Sequence, residues 1–124
     1  KDIINYIKKV KSPYNLNAIS QYIGIEALKN KEKIIKYVDI IKIERNYLYS
    51  ELLRLPLVVY KSNANFIFFK SDVNELDIKL EKKGILIRSF SGDLKGYYRV
   101  TIGKRWENEE FIKSLKEILV NENS

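Results

Sequence analysis

Neither cysteine nor histidine occurs among the 124 residues. That excludes a thiol nucleophile, a Ser-His-Asp triad and a zinc site of the usual ligands. It excludes disulfides as well, so cysteine usage gives no secretory hint. Glycine and proline are sparse, at 5 and 2. Gly84, Gly92, Gly96 and Gly103 lie too far apart to form a phosphate-cradling loop and read as caps and turns. No apolar run approaches the roughly 20 residues needed to span a bilayer, so no membrane partner is expected. The chain opens on Lys1-Asp2 and a helical pattern instead of a signal peptide. Lys1 in place of an initiating Met suggests processing or truncation.

What is present suits one compact domain with a core to bury. Hydrophobic residues make up 45% and charged residues 31%, which argues against disorder. Lys and Arg number 23 against 16 acidic residues, a net charge of +7. Such an excess can attract nucleic acid. Here the lysines are spread along helices, as at Lys31, Lys33, Lys36 and Lys42, with no basic block. Distribution favours a solvated surface, so no nucleic-acid partner is expected. A free-standing basic binding module is the alternative from another functional class.

Periodicity divides the chain. Ile3, Ile4, Ile7 and Val10 recur at helical spacing over residues 2–10, and Pro13 stops that pattern. Asn17 is placed to cap a helix carrying Ile19, Tyr22, Ile23 and Leu28. A longer helix is predicted over 31–53. Its stripe is Ile34, Val38, Ile41, Leu48 and Leu52, widened by Ile35 and Ile40 and interrupted by Arg45. After Pro56 come strands at 57–60 and 66–69, joined by the polar turn 61–65. Ser71 or Asp72 is placed to cap a helix with Leu76, Ile78 and Leu80, which Gly84 ends. A third strand is predicted at 85–88, a loop at 89–96 and a fourth strand at 97–102. Glu107, Glu109 and Glu110 fall in the first turn of a final helix whose core face is Phe111, Leu115, Ile118 and Leu119. The order predicts an α+β fold: a small sheet of about four strands with helices packed on one side.

Strand parity singles out two arginines. Along 97–102, Tyr98, Val100 and Ile102 make the apolar face, so Tyr97, Arg99 and Thr101 point the other way. Arg88 ends the preceding predicted strand. Two guanidinium forks on neighbouring strands would suit an anion with two charged ends, because each planar fork meets a carboxylate or phosphate in parallel hydrogen bonds. The same pattern fits an exposed arginine paired across the sheet with a carboxylate. No cluster of metal ligands is visible, and no lysine lies in an apolar stretch that would tune it for catalysis.

Four segments in series resemble the histidinol-phosphate aminotransferases, a branch of the fold-type I pyridoxal-phosphate enzymes. Lys11-Ser12-Pro13-Tyr14-Asn15-Leu16-Asn17 is similar to the family's Pro-Tyr/Phe-Asn segment between large and small domains. Ser62-Asn63-Ala64-Asn65-Phe66 is similar to its Ser-x-Ala-Asn-Phe strand start. Gly84-Ile85-Leu86-Ile87-Arg88-Ser89-Phe90 is similar to its Gly-Ile/Val-Leu-Val/Ile-Arg strand. Tyr98-Arg99-Val100-Thr101-Ile102-Gly103, followed by Glu107-Asn108, is similar to its Arg-Ile/Val-Thr-Ile/Val-Gly strand and the helix after it. The sequence departs from the family at Lys104, commonly a small or hydroxyl residue, and at Trp106.

The resemblance implies the C-terminal small domain of such an enzyme over residues 1–124, with 1–16 as the link from the large domain. It implies that Arg99 holds the substrate α-carboxylate and that Arg88 contributes to the phosphate site. Tyr14 and Asn15 would lie near the active site at a homodimer interface. The implied reaction transfers an amino group between L-histidinol phosphate and 2-oxoglutarate in histidine biosynthesis, in the cytoplasm. Pyridoxal phosphate would serve the intact enzyme. The family's cofactor lysine sits in a Ser-x-x-Lys segment that this sequence lacks. The chain alone is therefore expected to bind no cofactor and to be inactive without the missing N-terminal large domain. A threonine-phosphate decarboxylase or another amino acid aminotransferase would share the same domain. The surface left bare by the absent half predicts self-association.

Overall fold

The structure, a computed structural model, describes residues 2–11 and 16–122. By internal contacts the chain divides into two units, residues 1–36 and 37–124, and the boundary falls within a helix.

The first unit holds helix α1 (Asp2–Val10), helix α2 (Ala18–Lys29) and the start of α3 (Lys31–Leu52). The Asn17 side chain accepts from the Ser20 amide at 2.8 Å, the N-cap bond its sequence position predicts. The apolar spacing of α1 and α2 is helical as expected, yet Ile3, Ile4, Ile7, Val10, Ile19, Tyr22, Ile23 and Leu28 are all exposed. An amphipathic helix gains most of its stability from the face it buries, and each of these side chains is more than half exposed.

The second unit contains the core. Strands β1 (Val58–Tyr60), β2 (Phe66–Lys70), β3 (Arg88–Ser89) and β4 (Tyr97–Thr101) form an antiparallel sheet in the order β1-β2-β4-β3. One face packs on the C-terminal half of α3, on α4 (Leu76–Glu81) and on α5 (Arg105–Glu122). Ile67, Phe69, Tyr98 and Val100 come from the strands, Leu48 and Leu52 from α3, Leu76 and Leu80 from α4. From α5 come Phe111, Leu115, Ile118 and Leu119, the face read from the sequence, with Ile112 beside them. Alternation along β2 and β4 sends the other side chains to the opposite, uncovered face. The architecture is the α+β sheet-and-helix layer that the element order predicts.

Three local expectations need correction. The third strand has only two residues in the ladder, Arg88–Ser89, because the Ile85 amide donates to the Leu80 carbonyl at 3.0 Å and the Gly84 amide to Glu81 at 2.8 Å. With Gly84 at φ 80° this is a Schellman closure of α4, which takes up the backbone that would have begun the strand. The α4 cap is also different. Ser71 Oγ accepts from the Val73 amide at 3.2 Å, turning the chain early, and Glu75 precedes the helix at φ 54° without a side-chain cap bond. Finally, the predicted stripe of α3 is buried only in its later half. Leu48 and Leu52 are fully enclosed, whereas Ile34, Ile35, Val38 and Ile40 are exposed.

Candidate functional site

The uncovered face of the sheet is aromatic and cationic. Register places Val58 beside Lys70, Tyr60 beside Phe68, Phe66 beside Thr101, Lys70 beside Tyr97, and Phe68 and Arg88 on either side of Arg99. These strand positions carry Lys70, Arg88 and Arg99 and no carboxylate.

Arg88 and Arg99 are Cα partners in the β3–β4 ladder, so their side chains leave the same face. Arg88 is exposed and Arg99 half-buried. Neither makes an ion pair among the described residues. Like charges directly opposed across a ladder are unfavourable, and each guanidinium here has an aromatic seat instead of a counter-ion. Arg88 lies 5.4 Å from the Phe90 ring centre and Arg99 lies 5.1 Å from that of Phe66. A cation over an aromatic face gains about 0.5–1 kcal/mol at exposed sites. That is enough to orient a fork, while its N–H donors remain available.

An aromatic cluster continues the surface. Phe68 stacks on Tyr97 with centroids 5.4 Å apart and meets Phe90 edge-on at 5.5 Å. Tyr60 lies 5.6 Å from Phe68 and 6.2 Å from Tyr97. The neighbouring Tyr97 phenol holds that of Tyr60 above its ordinary pKa, and Lys70 sits 5.8 Å from the Tyr97 ring centre. This face can hold an anion between guanidinium forks beside flat rings.

The two arginines that parity and resemblance singled out are therefore brought together. Tyr14 and Asn15 lie outside the described residues. The seats Phe66 and Phe90 were not identified from the sequence, although Phe66 shares the parity of Arg99's face. Arg45, read as an interruption of the α3 stripe, donates to the Ala64 carbonyl at 3.1 Å. Its neighbour Glu44 was missed, although it lies one and two helical repeats before Leu48 and Leu52. It is buried and bonded to Arg105 and Asn108. Among the described residues no helix is long and apolar enough to cross a membrane.

A one-sided α+β layer here carries on its open face two arginines that no acid among the described residues neutralises. The chain belongs to the class I and II aminotransferases, whose family model matches residues 1–115. It is 41% identical over 117 residues to the histidinol-phosphate aminotransferase of Clostridium novyi, covering 92% of this chain and 33% of that protein. It is 39% identical to the enzyme of the same name from Pyrococcus furiosus, covering 94% of this chain and 33% of that protein. The crystal structure of the histidinol-phosphate aminotransferase from Clostridium acetobutylicum superposes with a TM-score of 0.77 at 27% identity, over 97% of this chain and 38% of that one. The chain spans about a third of the length of the curated relatives it matches.

Proposed function

We propose that this chain is the C-terminal small domain of a histidinol-phosphate aminotransferase, spanning 1–124 with 1–16 leading from a large domain. In this reading Arg99 grips the α-carboxylate of 2-oxoglutarate or glutamate, and Arg88 and Arg99 together meet the phosphate of L-histidinol phosphate, which has no carboxylate. The observation that carries the proposal is the direct opposition of Arg88 and Arg99, with no carboxylate among the strand positions that share their face. A phosphate brings charge of the opposite sign and several acceptor oxygens to two forks that otherwise repel. Each charge-assisted bond is worth about 1.5–3 kcal/mol, set against an association cost of at least about 4 kcal/mol. The small domain alone would therefore bind such anions weakly. Tyr14 and Asn15 are proposed to approach the substrate from the interface of a cytoplasmic homodimer.

Pyridoxal phosphate supplies the electron sink for amino transfer in enzymes of this class. Every described lysine is exposed or half-exposed, so the described residues do not fit covalent attachment of that cofactor. We assign to this chain the binding and orientation of substrate anions, and to the large domain the chemistry. By itself the chain is then silent.

The experiment is a comparison of amino transfer from histidinol phosphate with decarboxylation of threonine phosphate, using the chain joined to a large domain. Preference for histidinol phosphate with 2-oxoglutarate as acceptor supports the proposal. Turnover of threonine phosphate alone would replace it with the decarboxylase reading. Turnover by the 124-residue chain without a large domain would overturn the assignment of the chemistry.

A further inference from the structure

Glu44 and Arg45, consecutive on α3, reach in different directions to the two turns at one end of the β2–β4 pair. Glu44 is 7% exposed. Its Oε1 accepts from Arg105 Nε at 3.1 Å and lies 3.0 Å from Nη2, while Oε2 accepts from Asn108 Nδ2 at 3.0 Å. The Arg105 guanidinium also lies 3.7 Å from the Tyr47 ring centre, and its bond to Glu44 holds its pKa above the ordinary value.

Asn108 in turn brackets Gly103. Its Nδ2 donates to the Gly103 carbonyl and its Oδ1 accepts from the Gly103 amide, both at 3.0 Å. Glu107 accepts from the Lys104 amide at 2.6 Å, half of a capping box, and crosses Gly103 so closely that a Cβ there would lie 2.9 Å from its own Cβ. On the other side, Arg45 donates to the Ala64 carbonyl at 3.1 Å, and the Asn65 carbonyl accepts from the Ile102 amide at 2.9 Å. Phe66, the seat of Arg99, follows Asn65 directly. Gly103 lies four residues beyond Arg99.

We propose that Glu44, acting through Asn108 and Arg105, is a positioning residue that sets Arg99 on its Phe66 seat. The inference rests on the reading of Arg99 as an anion ligand. Glu44 lies among the helices on the core side of the sheet and cannot touch a ligand on the open face. Its reach is mechanical. It fixes the β4–α5 turn to α3, the same helix that fixes the β1–β2 turn through Arg45, so β2 and β4 keep one offset. Stability alone is a weak account of this pairing, since the Arg105 side chain is 47% exposed and solvent-exposed ion pairs contribute little. Geometry is a stronger one, because a misplacement of about 1 Å at a binding group can cost about a hundredfold in rate.

The test uses the 124-residue chain by NMR, well below the melting temperature of each variant, with inorganic phosphate as the probe. Arg99 side-chain protons above Phe66 should carry an upfield ring-current shift, which reads the seating without any ligand. In Asn108→Ala that shift should fall by about half or more, and phosphate should bind about tenfold more weakly, the loss of about one charge-assisted bond. Glu44→Gln keeps the size and one hydrogen bond while losing the charge opposite Arg105, and should fall between wild type and Asn108→Ala. It also covers the case in which Asn108→Ala does not fold. Unchanged Leu115 methyl shifts would show an intact core. If the folded variants melt earlier yet keep both the Arg99 shift and the phosphate affinity, Glu44 is a structural residue and the inference is overturned. If wild type itself binds no phosphate, the anion-site reading fails, and the ring-current comparison still decides the positioning.

Discussion

Arg88 and Arg99 face one another across the β3–β4 ladder as a like-charged pair, each resting on an aromatic ring and neither neutralised by an acid among the described residues. The pair is poised to lose repulsion when an anion arrives. In low salt Arg88→Gln should therefore change the stability of the chain little, the relief of repulsion, about 0.5 kcal/mol, offsetting the lost contact with Phe90. Phosphate should raise the melting temperature of wild type and leave that of Arg88→Gln nearly unmoved. Calorimetry with and without phosphate checks both. An equal rise in the two proteins would show that the anion binds elsewhere.

In the complete enzyme, Arg99→Lys should lower kcat/KM by about ten- to a hundredfold, since an ammonium cannot reproduce the two parallel bonds of the fork. The comparison is steady-state kinetics with glutamate or 2-oxoglutarate varied. Wild-type kcat/KM in the variant would remove Arg99 from the site.

The two faces of β2 should respond differently to truncation. Phe69 is fully buried against Tyr98 and Phe111, so Phe69→Ala should cost about 3–5 kcal/mol. Phe68 is half-buried on the open face, and Phe68→Ala should cost clearly less. Denaturant unfolding measures both. Equal losses would mean that the open face is as well covered as the core.

Burial pushes the Tyr98 phenol above its ordinary value of about 10. A raised folded-state pKa means that the native protein holds the proton where the unfolded chain releases it. The associated stability is fully present below the unfolded value and is lost as pH rises from there through the folded value. Alkaline unfolding should therefore be shallower in Tyr98→Phe than in wild type above that point. Parallel stability profiles for the two proteins would contradict this.

The exposed apolar faces of α1 and α2 predict association at high concentration. Light scattering should show mass rising with concentration in wild type and falling back in Ile23→Asp. A sharp monomer in wild type throughout would count against it.

Much of the site was legible because strand parity is local. Tyr98 and Val100 alternate with Arg99, and that alone set Arg99 on the face away from the core. The Asn17 cap, the Gly84 stop and the Phe111, Leu115, Ile118 and Leu119 stripe were legible for the same reason, since each depends on residues within a turn or two. The α4 start was not, because Ser71 bends the chain before the helix begins and Glu75 takes a left-handed conformation. Glu44 was overlooked because a carboxylate within an apolar stripe gives no sign of its partners. They stand 61 and 64 residues away.

The order of residues by itself determined which segments coil, which extend, which side of β4 carries the guanidinium and which enzyme family the four motif segments resemble. Tertiary packing alone decided that Arg88 stands opposite Arg99 and that Glu44 and Arg45 tie two turns to one helix. The division has a physical cause. Periodicity is imposed by neighbours along the chain, whereas ladder register and the pairing of a buried charge arise when distant segments meet and exclude water together.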